Sequence, residues 1–336
     1  MLQARQEGPC VRAVVVEEPG DAGQLQIVDR SVPVPAGQEV LVAVRATSVN
    51  RADILQRQGR YPPPDGASDI LGLEVAGEVV ETGDDVSEWH PGDRVCALLA
   101  GGGYAEYATV AASTAIALPP HMPWTEAGGL AEVFFTAFDN LLTRARLRAD
   151  ETVLIHGISG GVGTAATQLA VRVGARAIGT ASTRRKLDGT LKLGATAGIN
   201  YTEEDFVDRV RDLTAGRGVD VVLDLVGGPY LQRNLDALAI EGRLVIIGLQ
   251  GGARAELSLG QLMSRRLTVL GSTMRARTVE QKAAVAAQMR TDVMPGFVDG
   301  SLRVVVDSVF DLADVAAAHR AVEAGDHIGK VVLTVS

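Results

Sequence analysis

The stretch that most constrains this chain runs from Glu151 to Ser182. Glu151 to His156 is a short apolar run, closed by a glycine cluster at Gly157, Gly160, Gly161 and Gly163. A run of that kind bounded by turn residues reads as a buried strand. The following residues put Ala165, Leu169 and Val173 at helical spacing, and Gly174 supplies a C-terminal stop. Ala175 to Thr180 then resumes an apolar run. Strand, glycine turn, helix and strand form a unit that binds a dinucleotide. The pyrophosphate needs backbone N–H groups and the positive end of a helix, and side chains there would block its approach. The pattern is G-x-x-G-G-V-G rather than the strict G-x-G-x-x-G, because Ser159 interrupts it. A purely structural turn competes as a reading of the loop alone, and the flanking strand and helix argue against it. No Lys-Ser/Thr pair follows the glycines, which excludes a Walker-type phosphate loop.

The end of the second strand distinguishes two cofactors. An acidic residue about 20 residues past the glycines would bind a ribose 2′-hydroxyl, whereas cations accommodate a 2′-phosphate. Here the strand ends Gly179-Thr180-Ala181-Ser182-Thr183-Arg184-Arg185-Lys186, with no carboxylate before Asp188. Cations in a first helical turn oppose the helix dipole and cost stability without a ligand. The alternative is that Thr183 merely caps a helix whose first turn is basic. The residues favour NADPH over NADH.

Length and charge narrow the class. A chain of 336 residues exceeds a typical single core, so two domains are expected. The net charge of −9 argues against nucleic acid or an anionic membrane as a partner. No apolar run approaches the ~18 residues of a membrane span. Residues 1–10 read as a loose leader, and Met1 to Val11 has no apolar h-region of a secretion signal, so a cytoplasmic protein is expected. Cys10 and Cys96 are far apart and have no neighbours at ligand spacing. That rules out a cysteine-rich zinc site, and no metal ligand set is expected. The five histidines form no H-x-x-H or H-E-x-x-H pattern. His156, which ends the first strand of the dinucleotide unit, reads first as a packing residue.

In chain order, Val11 to Val16, Leu25 to Asp29, Glu39 to Ala46 and Ile70 to Gly83 read as strands with Pro-Gly punctuation. A short helix is expected over Asp53 to Gln58. Strands at this density suggest a partly open β-barrel. From Ala127 to Thr143 an Ala-, Leu- and Phe-rich stretch predicts a joining helix. Strands at 195–199, 219–224, 243–247 and 267–270, alternating with helices, complete a doubly wound parallel sheet of six strands. A helix at 280–288 and strands at 304–306 and 330–335 return the chain to the first domain. The expected fold is thus α/β, a Rossmann domain over 127–272 and a β-rich domain over 1–126 and 273–336. The apolar edge strand Leu267 to Leu270 predicts self-association as a homodimer or a dimer of dimers.

Several stretches together carry a family resemblance. They are S-V-N-R-A-D, Q-R-Q-G-R-Y-P-P-P, L-G-L-E-V-A-G-E-V, P-G-D-R-V, G-G-G-Y-A-E-Y, H-G-I-S-G-G-V-G-T-A-A-T-Q-L-A, K-L-G-A, I-N-Y-T-E-E-D-F, L-D-L-V-G-G, G-R-L-V-I-I-G and H-I-G-K-V-V-L. In this order they resemble the medium-chain dehydrogenase/reductases of the zinc-independent quinone oxidoreductase (zeta-crystallin-like) branch, across nearly the whole chain after the leader. The resemblance implies that the β-rich domain is GroES-like. Zinc-dependent relatives carry G-H-E, where this chain has Gly72-Leu73-Glu74, and their first metal cysteine falls at Asn50. Ala131-Glu132 stands where relatives often have Pro-Glu.

For the cofactor, the resemblance implies Gly160, Gly161 and Val162, with Ser159 beside them, at the pyrophosphate. It implies Lys186 and Tyr201, with Ser182, at the 2′-phosphate, and Thr136, Gly248, Leu249, Ser272 and Thr273 on the nicotinamide side. Hydride transfer to a quinone needs little acid–base help, so positioning and exclusion of water are the expected tasks. Asn50, Asp53 and Tyr61 are candidates for lining a substrate cleft between the domains, although Asp53 also suits a helix cap and Tyr61 simple packing. The expected activity is NADPH-dependent quinone reduction, with ortho-quinones first. Alternatives are an alkenal or enone reductase with Tyr61 as proton donor, acting on an activated carbonyl substrate, and an NADPH-binding sensor or structural protein.

Overall fold

The computed structural model describes residues 10–336. The expected leader therefore lies outside the described residues, except for Cys10, which begins the first strand. The chain divides into two compact units, one running to Glu132 and resuming at Arg275, the other spanning Val133–Met274. The crossings fall at 132/133 and 274/275 rather than at 126/127 and 272/273.

The first unit opens with β1 (Cys10–Val16) and β2 (Leu25–Ser31), an antiparallel pair. Then follow β3 (Glu39–Val49), α1 (Arg51–Arg57), β4 (Glu74–Thr82), β5 (Arg94–Leu98), β6 (Tyr107–Ala111), β7 (Ile116–Ala117) and α2 (Trp124–Ala127). The strand expected from Ile70 starts only at Glu74, because Leu71 N–H is drawn to Val14 O of β1 instead. The long helix expected over 127–143 is broken into α2, α3 (Ala131–Phe138) and a π-helical turn at Asp139–Arg144. Gly128 follows α2, and its backbone packs directly on β3: a Cβ there would sit 2.6 Å from the Ala46 Cβ.

The second unit continues with β8 (Thr152–His156), α4 (Gly161–Arg172), β9 (Arg176–Ala181), α5 (Arg184–Leu191), β10 (Ala197–Asn200) and α6 (Phe206–Leu213). It ends with β11 (Val219–Asp224), α7 (Leu231–Ala237), β12 (Leu238–Ile246), α8 (Leu259–Ser264) and β13 (Thr268–Gly271). Its six strands form one parallel sheet in the order β10-β9-β8-β11-β12-β13. The order reverses between β8 and β11, which makes their carboxyl ends a ligand-binding crevice in doubly wound sheets. The core follows from the apolar runs: Leu154, Ile178, Ile199, Val222, Leu235 and Leu244 are all fully buried.

The chain returns to the first unit through α9 (Val279–Asp292), α10 (Met294–Val298), β14 (Val306–Asp311), α11 (Val315–Ala324) and β15 (Lys330–Thr334). β14 thus begins where the expected strand at 304–306 was to end. The seven-stranded sheet runs β14-β15-β3-β4-β5-β7, with β6 also on β3. The first half of β3 pairs with β4 and β6, and its second half with β15. Sharing one long strand among three partners curls the sheet into the partly open barrel. Val42, Val75, Val95, Val331 and Leu333 fill it.

Candidate cofactor and active site

The glycine loop sits at the carboxyl end of β8. Gly157 adopts φ +63°, a left-handed turn that favours glycine. A Cβ on Gly163 would lie 2.4 Å from Ile158 O, so the helix start presses on its own loop. At Gly160 a Cβ would meet only Gly157 O, at 3.4 Å, leaving that face open. The N-cap of α4 is Gly160, which has no side chain to cap it, and the first turn holds no acidic residue. Helix N–H groups left uncapped beside an open face are what a pyrophosphate requires.

Beyond β9, Thr183 caps α5 by accepting from Lys186 N. Both readings of this segment therefore describe it: the cap is real, and the first turn is still basic. Lys186 is 8% exposed, and its Nζ donates to Ser182 Oγ at 3.2 Å. Tyr201, just past β10, is exposed. No carboxylate stands at the end of β9, and its place is taken by Ser182, Thr183 and the buried Lys186. These groups fit a 2′-phosphorylated dinucleotide.

Gly248, Leu249, Ser272 and Thr273 follow β12 and β13, on the same edge of the parallel sheet as the glycine loop. Asn140, in the π-helical turn, joins two of the implied nicotinamide residues. Its Nδ2 donates to Thr136 O at 2.8 Å, and its Oδ1 accepts from Ser272 Oγ at 2.6 Å. Sequence reading missed Asn140, and the only local signal was a polar pair, Asp139-Asn140, inside an apolar helical stretch. His156 is buried, and its ring nitrogens pair with Thr180 Oγ1 at 3.0 Å and Asn234 Oδ1 at 2.7 Å. Burial lowers its pKa to about 4. A neutral ring therefore donates from Nε2 to Asn234 and accepts at Nδ1, a packing role beneath the site.

In the first unit, the three cleft candidates fall into different surroundings. Asn50 is 6% exposed, with Nδ2 donating to Glu74 Oε1 at 2.9 Å and Oδ1 accepting from Lys330 Nζ at 2.5 Å. Glu74 also accepts from Ser48 Oγ, from Lys330 Nζ at 3.1 Å and from Glu132 N at 2.9 Å. Glu74 and Lys330 form a buried ion pair that no local pattern in the chain could join.

Asp53 is fully buried and lines no open surface. Its Oδ2 accepts from Asn50 N at 2.8 Å and Tyr104 Oη at 3.2 Å, so the carboxylate secures the start of α1. Desolvation raises its pKa to about 6. Behind it runs a buried chain. Arg57 can only donate, so His319 Nδ1 accepts from it at 3.3 Å, and Nε2–H donates to Tyr104 Oη at 3.2 Å. Burial and the Arg57 charge hold that histidine near a pKa of about 3. Arg57 also pairs with Glu323 at 2.5 Å, tying α1 to α11.

Tyr61 is half-buried, and burial raises its pKa. The Arg275 guanidinium stands 5.4 Å from its ring centroid. Among the described residues, no group of three or more His, Cys, Asp or Glu could hold a metal ion.

A glycine-looped parallel sheet and a separate curled sheet define the two-unit architecture of the medium-chain dehydrogenase/reductases. Residues 161–289 match the family model of zinc-binding dehydrogenases, and residues 36–120 that of the alcohol dehydrogenase GroES-like domain. The chain is 32% identical to the human quinone oxidoreductase over 326 residues, 96% of this chain and 97% of that protein. The Escherichia coli quinone oxidoreductase complexed with NADPH superposes with a TM-score of 0.86 at 32% identity, covering 96% of this chain and 99% of that one. CurK enoyl reductase superposes with a TM-score of 0.85 at 29% identity, covering 97% and 99%. This chain belongs to the quinone oxidoreductase family of the medium-chain dehydrogenase/reductases.

Proposed function

We propose that this protein is an NADPH-dependent reductase of quinones, ortho-quinones first, that works without a metal in the cytoplasm. The observation that carries the cofactor choice is the end of β9, where a buried Lys186 bonded to Ser182 replaces the acidic residue an unphosphorylated ribose would need. The bound dinucleotide supplies a hydride. The protein's work is positioning: the uncapped start of α4 holds the pyrophosphate, while Lys186, Ser182 and Tyr201 hold the 2′-phosphate. Thr136 and Ser272, tied through Asn140, orient the nicotinamide side with Gly248, Leu249 and Thr273. Tyr61 and Asn50 face the acceptor, and Asp53 serves by fixing the helix start that carries Asn50. Leu73 and Asn50, where zinc-dependent relatives have ligands, support a metal-free reaction.

A second reading, reduction of enones, is favoured by the likeness to CurK enoyl reductase. It requires a proton for the enolate, with Tyr61 as the donor. Anaerobic consumption of NADPH and of NADH, with an ortho-quinone and a 2-alkenal as acceptors, separates these. NADPH-selective turnover of the quinone supports the first reading, and turnover of the alkenal alone supports the second. Tight NADPH binding without turnover points to a sensor.

We also propose a homodimer, or a pair of such dimers, joined through β13. Among the described residues that strand pairs only with β12, and it leaves Val269 and Leu270 half-buried at the sheet edge. A monomeric mass in light scattering removes this proposal.

A further inference from the structure

Arg275 is 5% exposed, although it carries a full charge. Its Nε donates to Ala100 O at 2.8 Å, Nη2 to Gln56 Oε1 at 2.6 Å and Nη1 to Tyr61 O at 3.4 Å. All three acceptors are neutral. A guanidinium has five N–H donors, so two of its N–H groups have no acceptor among the described residues. The opposing charge in range is Asp53, whose carboxylate is bonded to Asn50 and Tyr104 instead.

Lys282, in the first turns of α9, repeats the pattern. The residue is 6% exposed, and its ammonium, which still reaches solvent, has no hydrogen-bond or ion-pair partner among the described residues. Arg275 and Arg277 are close enough to repel it. Crowding cations that repel one another beside a buried guanidinium, with no bonded counter-ion, is costly. A bound oxyanion reverses that cost by accepting the unused N–H groups.

We infer that Arg275, beside Tyr61 and supported by Lys282, is an anion subsite, and that the acceptor is an unsaturated carbonyl bearing a carboxylate, sulfonate or phosphate. The inference rests on the reading of Tyr61 as a substrate-side residue and narrows the substrate class. The same chemistry would suit a phosphate of the cofactor. The substrate is the favoured source because the glycine loop and Lys186 already provide seats for those phosphates.

The test compares 1,2-naphthoquinone with 1,2-naphthoquinone-4-sulfonate under NADPH. The sulfonate is expected to have a kcat/KM about ten-fold higher or more, mostly through KM. Arg275→Gln is expected to shrink that ratio by about ten-fold, and Lys282→Met by a smaller factor. Comparing ratios between variants cancels the intrinsic reactivity of the two quinones. A ratio that neither soluble variant changes overturns the inference. So does a weakened NADPH Kd of equal size in fluorescence titration, which would assign the anion to the cofactor. If neither quinone is reduced, the quinone reading fails by itself. Calorimetry with the inert 2-naphthalenesulfonate, NADPH present, then decides the subsite: binding lost in both variants sustains it, and no binding to the parent protein overturns it.

Discussion

Replacing Asp53 by asparagine removes an ionisable group from a place the fold seals completely. Desolvation raises the carboxyl from 3.8 to about 6, against the pull of the Asn50 N–H and the Lys330 charge. At about 1.4 kcal/mol per pH unit, that shift costs the folded state roughly 3 kcal/mol at neutral pH. The unfolded chain releases this proton near pH 3.8 and the folded chain only near pH 6. The folded state thus binds more protons in that window, and stability is full below it and falls as pH rises through it. An asparagine keeps an acceptor for Asn50 N and Tyr104 Oη. Its NH2 replaces Oδ1, which has no partner among the described residues, at a cost of about 1–3 kcal/mol at every pH. Urea unfolding should therefore show Asp53→Asn as stable as the parent, or more so, at pH about 8. The variant should be less stable at pH about 4, with a swing of about 2–3 kcal/mol between the two. A difference between variant and parent that does not change with pH would refute the assignment of Asp53 to a sealed helix cap.

Three other outcomes follow from the site. Lys186→Met should weaken NADPH about 10- to 100-fold in fluorescence titration while barely changing NADH, and equal losses would misplace the phosphate seat. His156 is held neutral with its pKa lowered from 6.5 to about 4. The unfolded chain binds the extra proton in that window, so about 3 kcal/mol of stability should be lost as pH falls through it, and His156→Gln should abolish that slope in urea melts. Asn140→Leu should cut kcat/KM for NADPH oxidation about ten-fold by releasing Thr136 and Ser272. Unchanged kinetics in a soluble variant would show that the tie is merely structural.

What the chain's own order determined is whatever depends on neighbours in sequence. The glycine loop, the helix after it and the basic turn at 183–186 are local patterns, because phosphate seats are built from consecutive backbone amides and one helix end. The strands alternating with helices dictated a parallel sheet for the same reason. Close approaches between distant segments, as of Gly128 to Ala46, leave no such local pattern. The surroundings of the candidate site were invisible in the sequence. Glu74 and Lys330 pair across 256 positions, Arg57 and Glu323 across 266, and Asn140 and Ser272 across 132. Asp53 and Tyr61 looked equivalent as cleft residues, yet one is sealed in a cap and the other lies half-buried beside Arg275. Periodicity records which face of an element is apolar. Whether a polar group on that element meets a partner, a ligand or nothing depends on what the rest of the chain brings to it.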